Sequence, residues 1–178
     1  NGGTGTVTLT GAGGTAPLSY TFNGVTNATG VFTGVTANAG YNWSITDSKG
    51  CGPVTGILAV TEPVLLSGSA AITTAISCNG GTATITLSSA GGTGPVSYTF
   101  NGLTNATGIF SGITANAGYN WSITDSKGCG PVTGILPVTE PVFLSGSASI
   151  TSAISCNGGT AIITLSAAGG TAPISYTF

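Results

Sequence analysis

Tyr119-Asn120-Trp121-Ser122-Ile123-Thr124 sets an apolar residue against a hydroxyl or amide residue at every step, and Asp125-Ser126-Lys127-Gly128 follows it as a turn. Alternation with a period of two places Tyr119, Trp121 and Ile123 on one face of an extended strand and their neighbours on the other. The pattern recurs upstream. Ala83, Ile85 and Leu87 oppose Thr82, Thr84 and Thr86, and Val96, Tyr98 and Phe100 oppose Ser97 and Thr99. Gly108–Ile113, Val132–Val138 and Leu144–Ile154 are further strand candidates. Turn signals separate them at Asn79-Gly80-Gly81, Gly91-Gly92, Asn101-Gly102 and Lys127-Gly128. No stretch carries a capped helical pattern. Six or seven short strands in about 80 residues predict an all-β chain built of immunoglobulin-like β-sandwiches.

The whole pattern is itself repeated. Asn1–Phe22 returns at Asn79–Phe100 and again at Asn157–Phe178, a period of 78 residues. Between Asn1–Cys78 and Asn79–Cys156 there are 64 identities and 14 differences, all mild, such as Val7/Ile85, Leu18/Val96 and Leu65/Phe143. A unit of this length is too long for a solenoid rung and long enough for a small domain. Proline ends a strand ladder, so Glu62-Pro63 and Glu140-Pro141 mark the unit boundaries. The expected organisation is a first repeat over 1–63 lacking its first strand, a complete second repeat over 64–141 and the start of a third over 142–178. Asn1 lacks the Ser-Cys that precedes Asn79 and Asn157, as a window from a longer array would.

Six of the 178 residues are charged: Asp47, Lys49, Glu62, Asp125, Lys127 and Glu140. An ordinary soluble domain has roughly a quarter. Serine, threonine and glycine wet the surface instead, while 40% hydrophobic residues set the chain apart from a disordered linker. Two lysines cannot neutralise a phosphate backbone, which excludes nucleic acid as a partner. No apolar run approaches the ~20 residues of a membrane-spanning helix. With no histidine, and with Asp125 and Glu140 as the sole carboxylates of their unit, no enzyme, cofactor or metal site is expected. Asp125 reads as the hydrogen-bond acceptor that closes its own turn.

Tyr41, Trp43, Tyr119 and Trp121 keep step with isoleucine on one strand face, so they are expected as core anchors rather than sugar-stacking platforms. Asn27-Ala28-Thr29 and Asn42-Trp43-Ser44 match the glycosylation sequon, but capped turns account better for asparagines in such a sequence. Thr6-Val7-Thr8 and Thr84-Ile85-Thr86 have the spacing of ice-binding rows, with too few rows per unit for an ice plane.

Two cysteines per unit beside Gly-rich turns, Cys51, Cys78, Cys129 and Cys156, suggest an oxidising, extracellular setting. Three pairings are open. Cys51–Cys78, with its copy Cys129–Cys156, would span the Glu-Pro boundary and is the leading expectation. Cys78–Cys129 would lie within one sandwich, although immunoglobulin topology sets those two turns at opposite ends. A cysteine at the top of one domain could instead staple one at the foot of its neighbour.

The segments Ile76-Ser77-Cys78-Asn79-Gly80-Gly81, Gly91-Gly92-Thr93-Gly94-Pro95-Val96-Ser97-Tyr98, Ala117–Cys129 and Val138-Thr139-Glu140-Pro141 resemble, in order, the SprB repeat of very large surface adhesins in gliding Bacteroidota. The Gly-Tyr…Thr-Asp…Gly-Cys block is the most specific part. The resemblance implies an immunoglobulin-like fold, export by type IX secretion and a place at the cell surface. The function expected is the structural repeat region of a large extracellular fibre, self-associated from several chains, for mechanical attachment or capture. Surface glycans or prey would be met through regions outside this window. A monomeric carbohydrate-binding module, using the loops Asn101–Gly108 and Ile113–Tyr119, is the alternative, and an ice-binding protein a second.

Overall fold

The structure, a computed structural model, describes residues 2–178. Among them are fifteen β-strands, all paired antiparallel, and no helix. The chain divides between Leu65 and Leu66 into two units. The first holds β1 (Gly5–Thr8), β2 (Ser19–Phe22), β3 (Val25–Asn27), β4 (Val31–Val35), β5 (Asn38–Thr46) and β6 (Val54–Val60). The second holds β7 (Ser67–Thr74), β8 (Ala83–Ala90), β9 (Val96–Phe100), β10 (Leu103–Asn105), β11 (Ile109–Ile113), β12 (Asn116–Asp125) and β13 (Val132–Val138). Then come β14 (Ser145–Ser152) and β15 (Ile162–Ala168).

In the second unit β7–β13 form two sheets, ordered β11-β8-β7 and β10-β9-β12-β13. The chain changes sheet after β8, after β10 and after β11, which gives the Greek-key connections of an immunoglobulin-like sandwich. The alternation seen in the sequence sets which residues enter the space between. Ala83, Ile85 and Leu87 of β8 and Phe110 of β11 meet Phe100, Ile123 and Val138 from the other sheet, and Leu66 and Ile76 complete the cluster. Ile85 and Ile123 have no exposed surface. Phe100 is the hinge of this core, with ring centroids 5.5 Å from Phe110 and 5.1 Å from Tyr119 in tilted packing. The first unit repeats the arrangement with Leu9, Phe22, Phe32, Val35 and Tyr41, Phe22 lying 5.4 Å from Phe32 and 4.9 Å from Tyr41. Its sheets are β1-β4 and β3-β2-β5-β6. The β14–β15 hairpin pairs in the register of β7 and β8, Ser145 opposite Ala168 as Ser67 is opposite Ala90.

Local chemistry fixes the turns. Phe100 pairs directly with Leu103, leaving Asn101 and Gly102 as a two-residue loop with φ of 48° and 81°. Two consecutive positive φ angles are the demand of the type I′ hairpin, which Asn-Gly meets at least strain. Gly108, at φ 73°, brings its backbone against the Leu87 carbonyl so closely that a Cβ would collide with it, and its own carbonyl accepts the Leu87 amide at 2.8 Å.

The four aromatic residues expected as anchors all pack against the cores, but to different depths. Tyr41 is buried, whereas Trp43, Tyr119 and Trp121 are half-buried. Trp121 lies flat over Gly134, where a Cβ would meet the indole ring at 2.5–2.8 Å, and Trp43 covers Gly56 in the same way. The deepest aromatic residues are Phe22 and Phe100, which are not among the expected anchors, although alternation sets Phe100 on a strand face with Val96 and Tyr98.

Candidate functional site

Charge is confined to the ends of each sandwich. At one end Asp125 closes β12. Its Oδ1 accepts the amides of Lys127 (3.0 Å) and Cys129 (2.9 Å), and its Oδ2 accepts the amide of Thr93 from the β8–β9 loop at 2.9 Å. Ser126 Oγ donates to the carbonyls of Thr93 and Gly94, both at 3.0 Å. One carboxylate thus serves its own turn and ties it to a second loop. The backbone donors, Thr93 first and then Cys129 and Lys127, hold the Asp125 carboxyl below its ordinary value, although burial opposes them. Asp47 does the same in the first unit through Thr15, Cys51 and Lys49.

The opposite end is tied by the Glu-Pro pair. Glu140 Oε2 accepts the amide of Gly80 at 2.7 Å, and the carbonyl of Pro141 accepts from Asn79 Nδ2 at 3.1 Å. Glu62 holds Gly2 in the first unit at 2.6 Å. Sequence pattern marked Glu62, Pro63, Glu140 and Pro141 as a boundary and had no signal for partners 60 residues away.

Between these ends the flanks carry only uncharged side chains. On the outer face of the four-stranded sheet, Thr104, Thr99, Ser122 and Thr133 stand in register across β10, β9, β12 and β13. Thr99 and Thr104 share a hydroxyl contact of 2.9 Å. Thr26, Thr21, Ser44 and Thr55 form the same row in the first unit, with Thr21 and Thr26 at 2.8 Å. The other sheet pairs Ser69 with Ser88 and Thr73 with Thr86, each at 3.1 Å, and the β14–β15 hairpin pairs Ser147 with Ser166 at 2.9 Å. Apolar side chains stand exposed on the edge strands: Leu103 on β10 (67%), Ile109 on β11 (55%) and Ile135 on β13 (68%). Beside the hydroxyl row lies a shallow depression lined by Thr99, Asn120, Ser122, Thr133 and Ile135, repeated in the first unit around Thr21, Asn42, Ser44, Thr55 and Ile57.

The loops considered for sugar binding are satisfied internally. Asn105 Oδ1 accepts the amides of Thr107 and Gly108, and its Nδ2 donates to the Ile109 carbonyl at 2.9 Å. Tyr119 Oη donates to the Thr114 carbonyl at 3.2 Å. Asn27 of the first sequon closes its turn in the same manner, its amide donating to Val31. Among the described residues no three His, Cys, Asp or Glu side chains gather in one place.

All four cysteines are free thiols, Cys129 half-buried and the others exposed. Cys129 lies at the Asp125 end of the second sandwich, where Leu66 packs against Gly92 and Gly130. Cys78 lies at the Glu140 end, beside the turn that Glu140 holds. The full length of β12 and β13 therefore separates them. Cys156 follows β14 at the far end of its hairpin, so Cys129 and Cys156 are not brought together either.

Comparison with models of known protein families gives no match, and comparison with curated proteins likewise gives none.

Proposed function

We propose that the chain is a repeat segment of a long extracellular fibre at a cell surface, in which several copies lie side by side and bear mechanical load. The observation that carries this reading is the charge-free flank. Sheet proteins that remain single guard their edges with charge, lysine above all. Here all six charged residues stand at the ends or are clamped there, and the edges expose Leu103, Ile109 and Ile135 amid hydroxyl rows. Little opposes backbone pairing or apolar contact between flanks, and near-zero net charge removes the long-range repulsion that would keep copies apart. The 78-residue period repeats the same flank along the chain, so weak contacts add over many units. The resemblance to SprB repeats agrees with a secreted surface appendage exported by type IX secretion, attaching to surfaces or capturing prey.

Electron microscopy of the native assembly, with mass per unit length, tests it. One sandwich per axial step of roughly 35–40 Å, from strands of about ten residues at ~3.3 Å each, would mean a single-chain stalk and end the multi-chain reading. Several times that mass is the expected result.

A further inference from the structure

We propose that successive repeats are joined covalently, by a disulfide between Cys78 at the foot of one repeat and the counterpart of Cys129 at the head of the next. The contact that points to it is Thr171 Oγ1 donating to the Ser77 carbonyl at 2.8 Å. Ser77 immediately precedes Cys78, whose thiol is free and exposed. Thr171 is the third repeat's counterpart of Thr93, one period on. In the second repeat the amides of Thr93 and Cys129 donate to the two oxygens of one carboxylate, Asp125, each at 2.9 Å. The cysteine-bearing loop is thereby fixed beside that threonine. Where a third repeat closes as the second does, its head cysteine stands beside Thr171, and so beside Cys78. A disulfide asks for Cα atoms about 4.4–6.8 Å apart, and two cysteines flanking one hydrogen-bonded contact are placed to meet it.

The pairing leaves the other arrangements without support. Cys78 and Cys129 occupy opposite ends of their sandwich, and Cys129 and Cys156 belong to ends that point away from each other. The bond forms by exchange with a disulfide oxidant such as oxidised glutathione. The two thiols give up two protons and two electrons, one S–S bond forms, and the oxidant's S–S bond is reduced to two thiols. Each junction would then be closed by a second covalent connection beside the linker 139–144.

Two chains test this: the 178-residue chain, and the same chain lengthened by inserting a second copy of residues 79–156 after Cys156. Each is equilibrated in glutathione redox buffer, acid-quenched, and read by intact mass and non-reducing peptide mapping. The lengthened chain is expected to lose two hydrogens in a single internal bridge. That bridge should persist in the Cys129→Ser variant and vanish in Cys78→Ser. The 178-residue chain is expected to form no internal bridge. Should the lengthened chain fail to fold, Thr171→Cys in the 178-residue chain decides, since it sets a thiol at the contact itself and is expected to bridge to Cys78. Absence of the bridge from a folded lengthened chain, or from the Thr171→Cys variant, overturns the proposal. So does a Cys51–Cys78 or Cys129–Cys156 bridge in either chain.

Discussion

The amide of Thr93 donates to Oδ2 of Asp125 across 32 residues of sequence, at 2.9 Å, and so closes two loops with one carboxylate. Because its backbone donors depress the Asp125 pKa below the ordinary 3.8, the clamp contributes full stability above that value. The contribution declines as pH falls through the lower folded-state pKa. Urea midpoints measured from about pH 6 to about pH 2 should therefore stay level and then fall below the ordinary carboxylate range. Asp47→Asn combined with Asp125→Asn should lower the midpoint at neutral pH and flatten the acid limb. An acid limb unchanged in the double variant would remove the clamp from the account.

Phe100 joins the two sheets through Phe110 and Tyr119 and is 1% exposed. Phe100→Ala should cost about 3–5 kcal/mol, the usual range for emptying a buried aromatic site. For a sandwich of this size that approaches the whole stability. Ile85→Val, which removes one methyl from the same core, should cost about 0.5–1.5 kcal/mol. Chemical denaturation of both variants checks the order, and equal costs would contradict a core centred on Phe100.

Gly134 is kept small by an indole. Gly134→Ala sets a methyl into Trp121 at 2.5–2.8 Å, so the ring must tilt away. A loss of about 1–3 kcal/mol is expected for such overpacking, with a red shift in tryptophan emission as the ring becomes more exposed. Gly128→Ala serves as the comparison, since its added methyl meets no atom within 4 Å, although its φ of 69° carries strain. It should leave the emission unchanged.

Leu103→Lys together with Ile135→Lys places charge on both edge strands of the second unit's four-stranded sheet at exposed positions. Surface changes of this kind usually alter stability by less than about 0.5 kcal/mol. Sedimentation velocity should nonetheless show association reduced relative to the parent chain. Undiminished association would mean that the flanks do not carry it.

Much of the fold was legible because its determinants are local. Strict alternation in β8 and β12 named the inward residues Ile85, Leu87 and Ile123, and Asn101-Gly102 named its hairpin. The three-residue β10 escaped notice, since Leu103–Asn105 is too short to show a period and exists only as the return arm of that hairpin. The surface was less legible, because its organisation rests on pairs distant in sequence. Nothing near Glu140 announces Gly80, and nothing near Asp125 announces Thr93. The row formed by Thr104, Thr99, Ser122 and Thr133 depends on register across four strands, which composition alone does not specify.

The placement of the two lysines also bears on how such a chain would survive among digestive enzymes. Lys49 and Lys127 are the only positions a trypsin-like protease can use, and each sits in a loop whose backbone is held by the neighbouring aspartate. A cut after Lys127 would leave β12 and β13 still paired along their length, so the nicked sandwich would keep both pieces in place. With no basic residue on the flanks, a chain of these repeats offers such enzymes one guarded peptide bond per unit and no route to shred the stretches between.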